Sequence, residues 1–138
     1  MSIYVASKTK HADLWKAMRA AGYPINSTWI DEAGVGETLD FNDLWTRCIN
    51  EAAYCDALVV YREPDDVLKG AWVELGAALS HDRPVMAVGL RDFTIAKYDA
   101  IQHFDHINSA MMAALKSVPG ATPSLIRADR APEVTKEK

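Results

Sequence analysis

The 138-residue sequence has no long hydrophobic run, and its net charge of only -4 gives no large excess of one sign. No stretch reaches the roughly 20 apolar residues that a membrane-spanning helix needs. The basic residues are scattered rather than clustered, which argues against a nucleic-acid or membrane-surface partner. The N-terminus lacks the charged lead and long apolar run of a signal peptide. These absences predict a cytoplasmic protein with neither a membrane nor a nucleic acid as partner.

Cysteine is also scarce, with only Cys48 and Cys55 in the chain. Cys48 falls on one predicted helix and Cys55 at its end, about two turns further, too far for a disulfide along that helix. No Cys-x-x-Cys pair and no Cys/His spacing typical of a metal site occurs. We therefore expect two small core thiols in a reducing compartment, and neither a metal nor a cofactor.

The residues that are present alternate between strand and helix patterns, and 49% are apolar, enough for the core of one domain. Strands are predicted at 2–6, 25–30, 57–61 and 84–88, with a weaker one at 101–104, and helices at 14–21, 41–52, 67–80 and 107–117. This order predicts a Rossmann/flavodoxin-like three-layer α/β sandwich, with a parallel sheet of four to five strands and helices on both faces. The domain is predicted to span 1–117, and the charged segment 118–138 to be a flexible tail.

The predicted helix 41–52 has the most regular apolar pattern of the chain. Its apolar residues recur every three or four positions, and Asp40 precedes it as an N-cap. Trp45 lies on this apolar face, so we expect its side chain in the core.

Ligands of parallel α/β sheets bind beyond the carboxyl ends of the strands. That rule selects Ser7 and Lys8 after the first strand, Asp31 after the second, Arg62 after the third and Gly70 at the start of the next helix. These residues are the candidates for binding a substrate.

Some of the flanking side chains have two interpretations. Trp29 either stacks on a base or belongs to the core, and Asp31 either binds a hydroxyl or belongs to a turn. Arg62 and Lys69 either meet a phosphate or are ordinary surface charges.

Glu74 is the carboxylate best placed for chemistry. It shares a helix face with the small residues Gly70, Ala77 and Ala78. Small neighbours leave room for a ligand beside the carboxylate. Alternatively they only permit close helix packing while Glu74 is solvated, and periodicity does not decide between the two.

Segment 69–78, Lys-Gly-Ala-Trp-Val-Glu-Leu-Gly-Ala-Ala, contains a Gly-x-x-x-Glu-Leu-Gly pattern. It resembles the nucleophile segment of the nucleoside 2-deoxyribosyltransferase family, which includes the 2'-deoxynucleoside 5'-phosphate N-hydrolases. Segment 3–7 is similar to that family's first strand and sugar- or phosphate-binding loop, and segment 56–60 to its third strand. The resemblance covers roughly residues 2–90.

The resemblance implies that Glu74 attacks C1' of a nucleoside or nucleotide. The base departs, a ribosyl-enzyme ester forms, and water or a second base resolves it. A carboxylate suits this chemistry because it stabilises an oxocarbenium-like transition state. The resemblance also implies that Ser7 and its loop hold the sugar or phosphate, and that the protein is a homo-oligomer.

Two positions depart from the family pattern. Cys48 stands where the family has a second carboxylate, and Leu68 stands where it has Asp or Ser. Asp65 and Asp66 are close to Leu68 in sequence and are candidates for the missing helper.

Two other functions compete with this one. Segment 49–78 is also similar to the later half of TIR domains, in which a Trp and a Glu serve NAD cleavage. The third possibility is an inactive member that binds a nucleotide as a sensor or sequestering protein, which Cys48 and Leu68 favour.

Overall fold

The computed structural model describes residues 2–34 and 38–126 and has one four-stranded sheet, all parallel, in the order β1-β2-β3-β4. The strands are β1 Ile3–Ala6, β2 Ala57–Tyr61, β3 Val85–Val88 and β4 Ile101–Phe104. Every residue of the first three strands is buried, as the continuous apolar run of β2 predicts for a parallel sheet. The predicted α/β class is confirmed.

Four helices connect and follow these strands: α1 Ala12–Ala21, α2 Phe41–Ala53, α3 Gly70–Ser80 and α4 Ile107–Leu115. α1 ends at Gly22, whose φ of 120° suits a residue without a side chain. α2 begins after Asp40, whose carboxylate accepts a hydrogen bond from the Asp43 amide, as predicted.

Helices lie on both faces of the sheet. Tyr4 is adjacent to Leu58 in the ladder, and Tyr61 lies three residues further along β2, so the two tyrosines point to opposite faces. Tyr61 packs edge-on against Trp15 of α1, whereas Tyr4 interacts with groups on α2 and α3. α2 and α3 therefore cover one face and α1 the other.

The predicted strand at 25–30 is wrong. Only Ile25 pairs with β1, in a single parallel bridge to Ile3, and the chain then forms the 3-10 helix Thr28–Asp31. Two side chains take the hydrogen bonds that a longer strand would make. The Val5 amide donates to Ser27 Oγ at 2.8 Å, and Trp29 Nε1 donates to the Val5 carbonyl at 2.9 Å. The outer edge of β1 is thus satisfied by side chains at Val5 and by backbone groups of Pro24 and Asn26 at Ile3.

Replacing Ser27 with Ala is expected to destabilise the fold by about 1–2 kcal/mol, because the buried Val5 amide loses its acceptor. Urea unfolding at neutral pH measures the change. Ser80→Ala is the matched control, since Ser80 is exposed on α3, and it should alter stability by less than about 0.5 kcal/mol. Equal effects for the two variants would contradict the edge-satisfying role of Ser27.

Trp45 is not in the core, contrary to the prediction. Its side chain is 39% exposed, and the tip of its ring lies against Gly70 of α3. α2 buries only Cys48, Ala52 and Ala53, because it packs mainly against α3. The apolar face of α2 is therefore wider than the part of it that the rest of the domain buries.

The described chain continues beyond the predicted domain boundary at 117. Val118 is buried in the core, and Ile126 packs against it. Residues 127–138 of the predicted tail lie outside the described residues. Within 2–34 and 38–126, no helix combines the length and apolar character needed to cross a bilayer.

Candidate functional site

A pocket of about 330 Å³ opens at the carboxyl edge of the sheet. The loop after β1, the start of α3 and one side of α2 form its walls. Its lining comprises Ser7, Lys8, Thr9, Trp29, Leu44, Trp45, Cys48, Val67, Lys69, Gly70, Ala71 and Glu74. The fold thus brings together six of the residues selected from the sequence: Ser7, Lys8, Trp29, Lys69, Gly70 and Glu74.

Glu74 lies one turn inside α3, on the same face as Gly70. Its side chain is only 8% exposed, and what remains accessible lines the pocket. A Cβ at position 70 would lie 2.9 Å from Trp45 Cη2, so the missing side chain lets α2 pack closely on α3. Glu74 is therefore a buried carboxyl facing a pocket and not a solvated surface acid.

The surroundings of Glu74 favour its neutral form. Burial raises the pKa of Glu74 to about 7, although the nearby Tyr4 hydroxyl and Cys48 thiol oppose the rise. Tyr4 Oη is buried and, among the described residues, has no hydrogen bond of standard geometry. Burial also raises the pKa of the Cys48 thiol to about 11, so Cys48 remains protonated at neutral pH. The carboxyl thus titrates near neutrality, beside two protonated groups.

Replacing Glu74 with Gln is expected to stabilise the folded protein at pH 8 by up to about 3 kcal/mol. Unfolding lets the glutamate ionise at its ordinary pKa, so wild-type stability falls as the pH rises from about 4.5 through 7. Gln carries no charge and avoids this loss. Urea unfolding at pH 4.5 and pH 8 measures the difference between the variants. If the stability difference between Glu74→Gln and wild type were the same at pH 4.5 and pH 8, Glu74 would not be a buried carboxyl that titrates in this range.

The mouth of the pocket favours negative charge. Lys8 and Lys69 are exposed there, and α3 begins without a side-chain cap or an acidic residue in its first turn. The free amides at a helix N-terminus attract anions. The Ser7 hydroxyl accepts from Trp15 Nε1 and donates to the Lys8 carbonyl, both at 2.9 Å, which holds the loop after β1 in place.

Two of the predicted binding residues lie outside this pocket. Asp31 forms a two-pronged ion pair with Arg19, at 2.8 and 3.0 Å. Arg62 donates to the backbone carbonyls of Pro64, Asp66 and Gly89, and its guanidinium lies over the ring of Phe93. Arg62 therefore shapes the loop between β2 and α3.

The proposed helper Asp66 is buried in a separate cluster of charged groups. Asp66 Oδ2 lies 2.8 Å from His11 Nε2 and accepts from the Glu63 amide, and Oδ1 lies 2.7 Å from Lys10 Nζ. These contacts clip the loop after β1 to the loop after β2, the two loops whose other ends line the pocket. Asp65 is exposed beside the cluster and does not line the pocket.

The same cluster has the spacing of a cation site. Ligand atoms of His11, Glu63 and Asp66 lie within 4.8 Å of one another. The Lys10 ammonium lies 2.7 Å from Asp66 Oδ1 and 3.8 Å from Glu63 Oε1, so the chain itself supplies a positive charge there. Lys10 therefore offsets part of the negative charge of the two carboxylates.

No protein-family model matches the chain, and no curated protein is significantly similar to it. The function is therefore inferred from the chemistry of the pocket and from the resemblance of segments 3–7, 56–60 and 69–78.

Sequence reasoning placed several pocket residues elsewhere or passed over them. Trp45 was predicted in the core, and nothing in its helical spacing separates a core position from a pocket wall. Cys48, by contrast, is buried as predicted, and it also lines the pocket near Glu74. Gly70 leaves room for the Trp45 ring on the neighbouring helix. The sequence does not show this contact, because it depends on how α2 packs against α3.

Proposed function

We propose that the protein cleaves or transfers the N-glycosidic bond of a nucleoside or nucleotide, with Glu74 attacking C1'. The observation that supports this most directly is the buried carboxyl of Glu74, which faces a pocket of about 330 Å³. That volume is in the range of pockets that hold small molecules. The resemblance of segment 69–78 to nucleoside 2-deoxyribosyltransferases and 2'-deoxynucleoside 5'-phosphate N-hydrolases supports the same reaction.

The chemistry follows from a single carboxylate. Ionised Glu74 attacks C1', the C1'–N bond breaks, and the base leaves with the bonding electrons and takes a proton from solvent. The ester is then opened at C1' by water, which loses a proton, or by a second base, and the carboxylate is regenerated. Because burial places the Glu74 pKa at about 7, the reactive carboxylate is basic and its fraction grows as the pH rises through neutrality.

The mouth of the pocket supports a substrate with an anionic group. Lys8, Lys69 and Gly70 at the N-terminus of α3 line the same pocket as Glu74. A 5'-phosphate directed at them leaves C1' facing the carboxylate. The proposed substrates are therefore nucleosides and their 5'-monophosphates.

One observation favours a second candidate, a nucleotide-binding protein without catalysis. Among the described residues that line the pocket, Glu74 is the only carboxylate, and Cys48 occupies the place next to it. Such a protein would bind the substrate and leave the glycosidic bond intact.

We also propose that the protein is a homo-oligomer. Phe41 and Ile49 form an exposed apolar row on α2, and Val73 on the adjoining α3 is 47% exposed. A second copy that covers this row would remove a contiguous apolar surface from water. Light scattering after size exclusion tests it, and Ile49→Glu should shift the mass to that of the monomer.

Incubation with a panel of substrates tests the function. Deoxynucleosides, their 5'-monophosphates and NAD are each mixed with the protein, and free base is measured by chromatography. Release from a nucleoside or its monophosphate supports the glycosidic reaction, whereas release of nicotinamide from NAD alone supports the TIR-like alternative. No release, with thermal stabilisation by a nucleotide, supports the binder.

A further inference from the structure

Three of the four tryptophans have a structural role that the contacts explain. Trp15 and Trp29 are buried, and their indole N–H groups donate to Ser7 Oγ and the Val5 carbonyl. Trp72 packs edge-on against Phe93, with ring centroids 5.1 Å apart. Trp45 differs, because it is 39% exposed and lines the pocket.

The Trp45 ring is held against the helix that carries Glu74. A Cβ at position 70 would lie 2.9 Å from its Cη2 and 3.6 Å from its Cζ2, so the tip of the six-membered ring points at Gly70. Positions four apart on a helix lie one above the other, about 5–6 Å apart. Glu74 is therefore one turn from the place where the ring is anchored.

In a nucleoside, a planar base and C1' lie directly next to each other. The base is bonded directly to C1', so a base lying over the Trp45 ring leaves C1' within reach of a group one helical turn away. Leu44 and Val67 add apolar surface to the same pocket. An aromatic face is also a good platform for any base, because stacking does not depend on a particular hydrogen-bond pattern.

We propose that Trp45 is the stacking platform that binds the planar base of the substrate, whichever base the substrate carries. This inference rests on the proposed function and identifies the residue that the base contacts. Trp29 is a less suitable platform because it is only 7% exposed and its N–H is fixed to β1. Substitution of Trp45 should therefore weaken binding of the base more than substitution of Trp29.

Calorimetric titration in a Glu74→Gln background, which keeps the ligand intact, tests the inference. The probes are deoxyadenosine 5'-monophosphate and deoxycytidine 5'-monophosphate, with 2-deoxyribose 5-phosphate as the ligand without a base. Trp45→Ala should weaken both nucleotides about 10- to 100-fold, and Trp45→Phe by less than about fivefold. Binding of the sugar phosphate should change by less than about twofold in either variant.

Two further variants keep the test independent of folding defects. Gly70→Ala places a methyl group 2.9 Å from the ring, so it should displace the ring and weaken nucleotide binding without removing the indole. Trp72→Phe is the matched control, since Trp72 lies on α3 outside the pocket lining, and it should leave the affinity unchanged.

The outcomes separate this inference from the proposed reaction. Equal losses for the nucleotides and the sugar phosphate, or unchanged nucleotide affinity in Trp45→Ala, would overturn the stacking role. A Trp45→Ala protein that changes only its oligomeric mass would overturn it as well. Selective loss of nucleotide affinity, together with base release that does not depend on Glu74, would support the platform while the proposed reaction fails.

Discussion

Replacing Glu74 with Gln should lower kcat/KM for base release by at least about 1,000-fold, because an amide cannot form the ester at C1'. Gln keeps the size of the side chain, and its lack of charge suits the buried position. The loss should therefore appear in kcat, with the dissociation constant of the substrate changed little. Steady-state assays on the best substrate of the panel measure both quantities.

Glu51→Gln is the matched control for this variant. Glu51 is a carboxylate on α2 whose charge contributes to the raised pKa of Glu74, but its oxygens bind the amide and hydroxyl of Thr28 and do not line the pocket. We expect less than about a tenfold change in kcat/KM. A Glu74→Gln protein that retains activity within tenfold of wild type would rule out Glu74 as the nucleophile.

Replacing Asp66 with Ala should destabilise the protein by about 3 kcal/mol, because it leaves His11 buried without its partner and removes the clip between the two pocket loops. Asp65→Ala, at the exposed neighbouring position, should change stability by less than about 0.5 kcal/mol. Urea unfolding at pH 7 compares the two. Similar values for both variants would show that the cluster contributes little.

The pH dependence of stability provides a second test of the same cluster. Burial alone would raise the pKa of Asp66, but the contacts with Lys10, His11 and the Glu63 amide outweigh burial and hold the pKa at about 2. The folded state thus prefers ionised Asp66. Its contribution is complete above the ordinary pKa near 4 and is lost as the pH falls towards 2, so the stability gap between wild type and Asp66→Ala should narrow there.

Apart from the strand at 25–30, the order of helices and strands could be predicted because hydrophobic periodicity reports which residues are covered. The continuous apolar run of β2 indicated a strand buried on both faces, and the structure has it. The small residues around Glu74 left its burial open, and the packing of α3 decides it. Placement of Ser7, Lys8 and Lys69 at one pocket followed from a topological rule, since the carboxyl ends of parallel strands share one edge.

Two errors came from interactions that a local pattern does not contain. Segment 25–30 has strand-like residues, but Ser27 and Trp29 hydrogen-bond to Val5 through their side chains, which makes a second paired strand unnecessary. Trp45 has the spacing of a core residue, but only the packing of α2 against α3 determines that it faces the pocket.

The most direct measurement is the intact mass of the protein during turnover of a 2'-fluorinated nucleoside or its 5'-monophosphate. Fluorine at C2' destabilises an oxocarbenium-like transition state, so it slows hydrolysis and allows an ester to accumulate. We predict a mass increase equal to the fluorinated sugar, or sugar phosphate, on the peptide that contains Glu74, and no increase in Glu74→Gln. Base release without any covalent adduct, at the same rate in both proteins, would contradict the account.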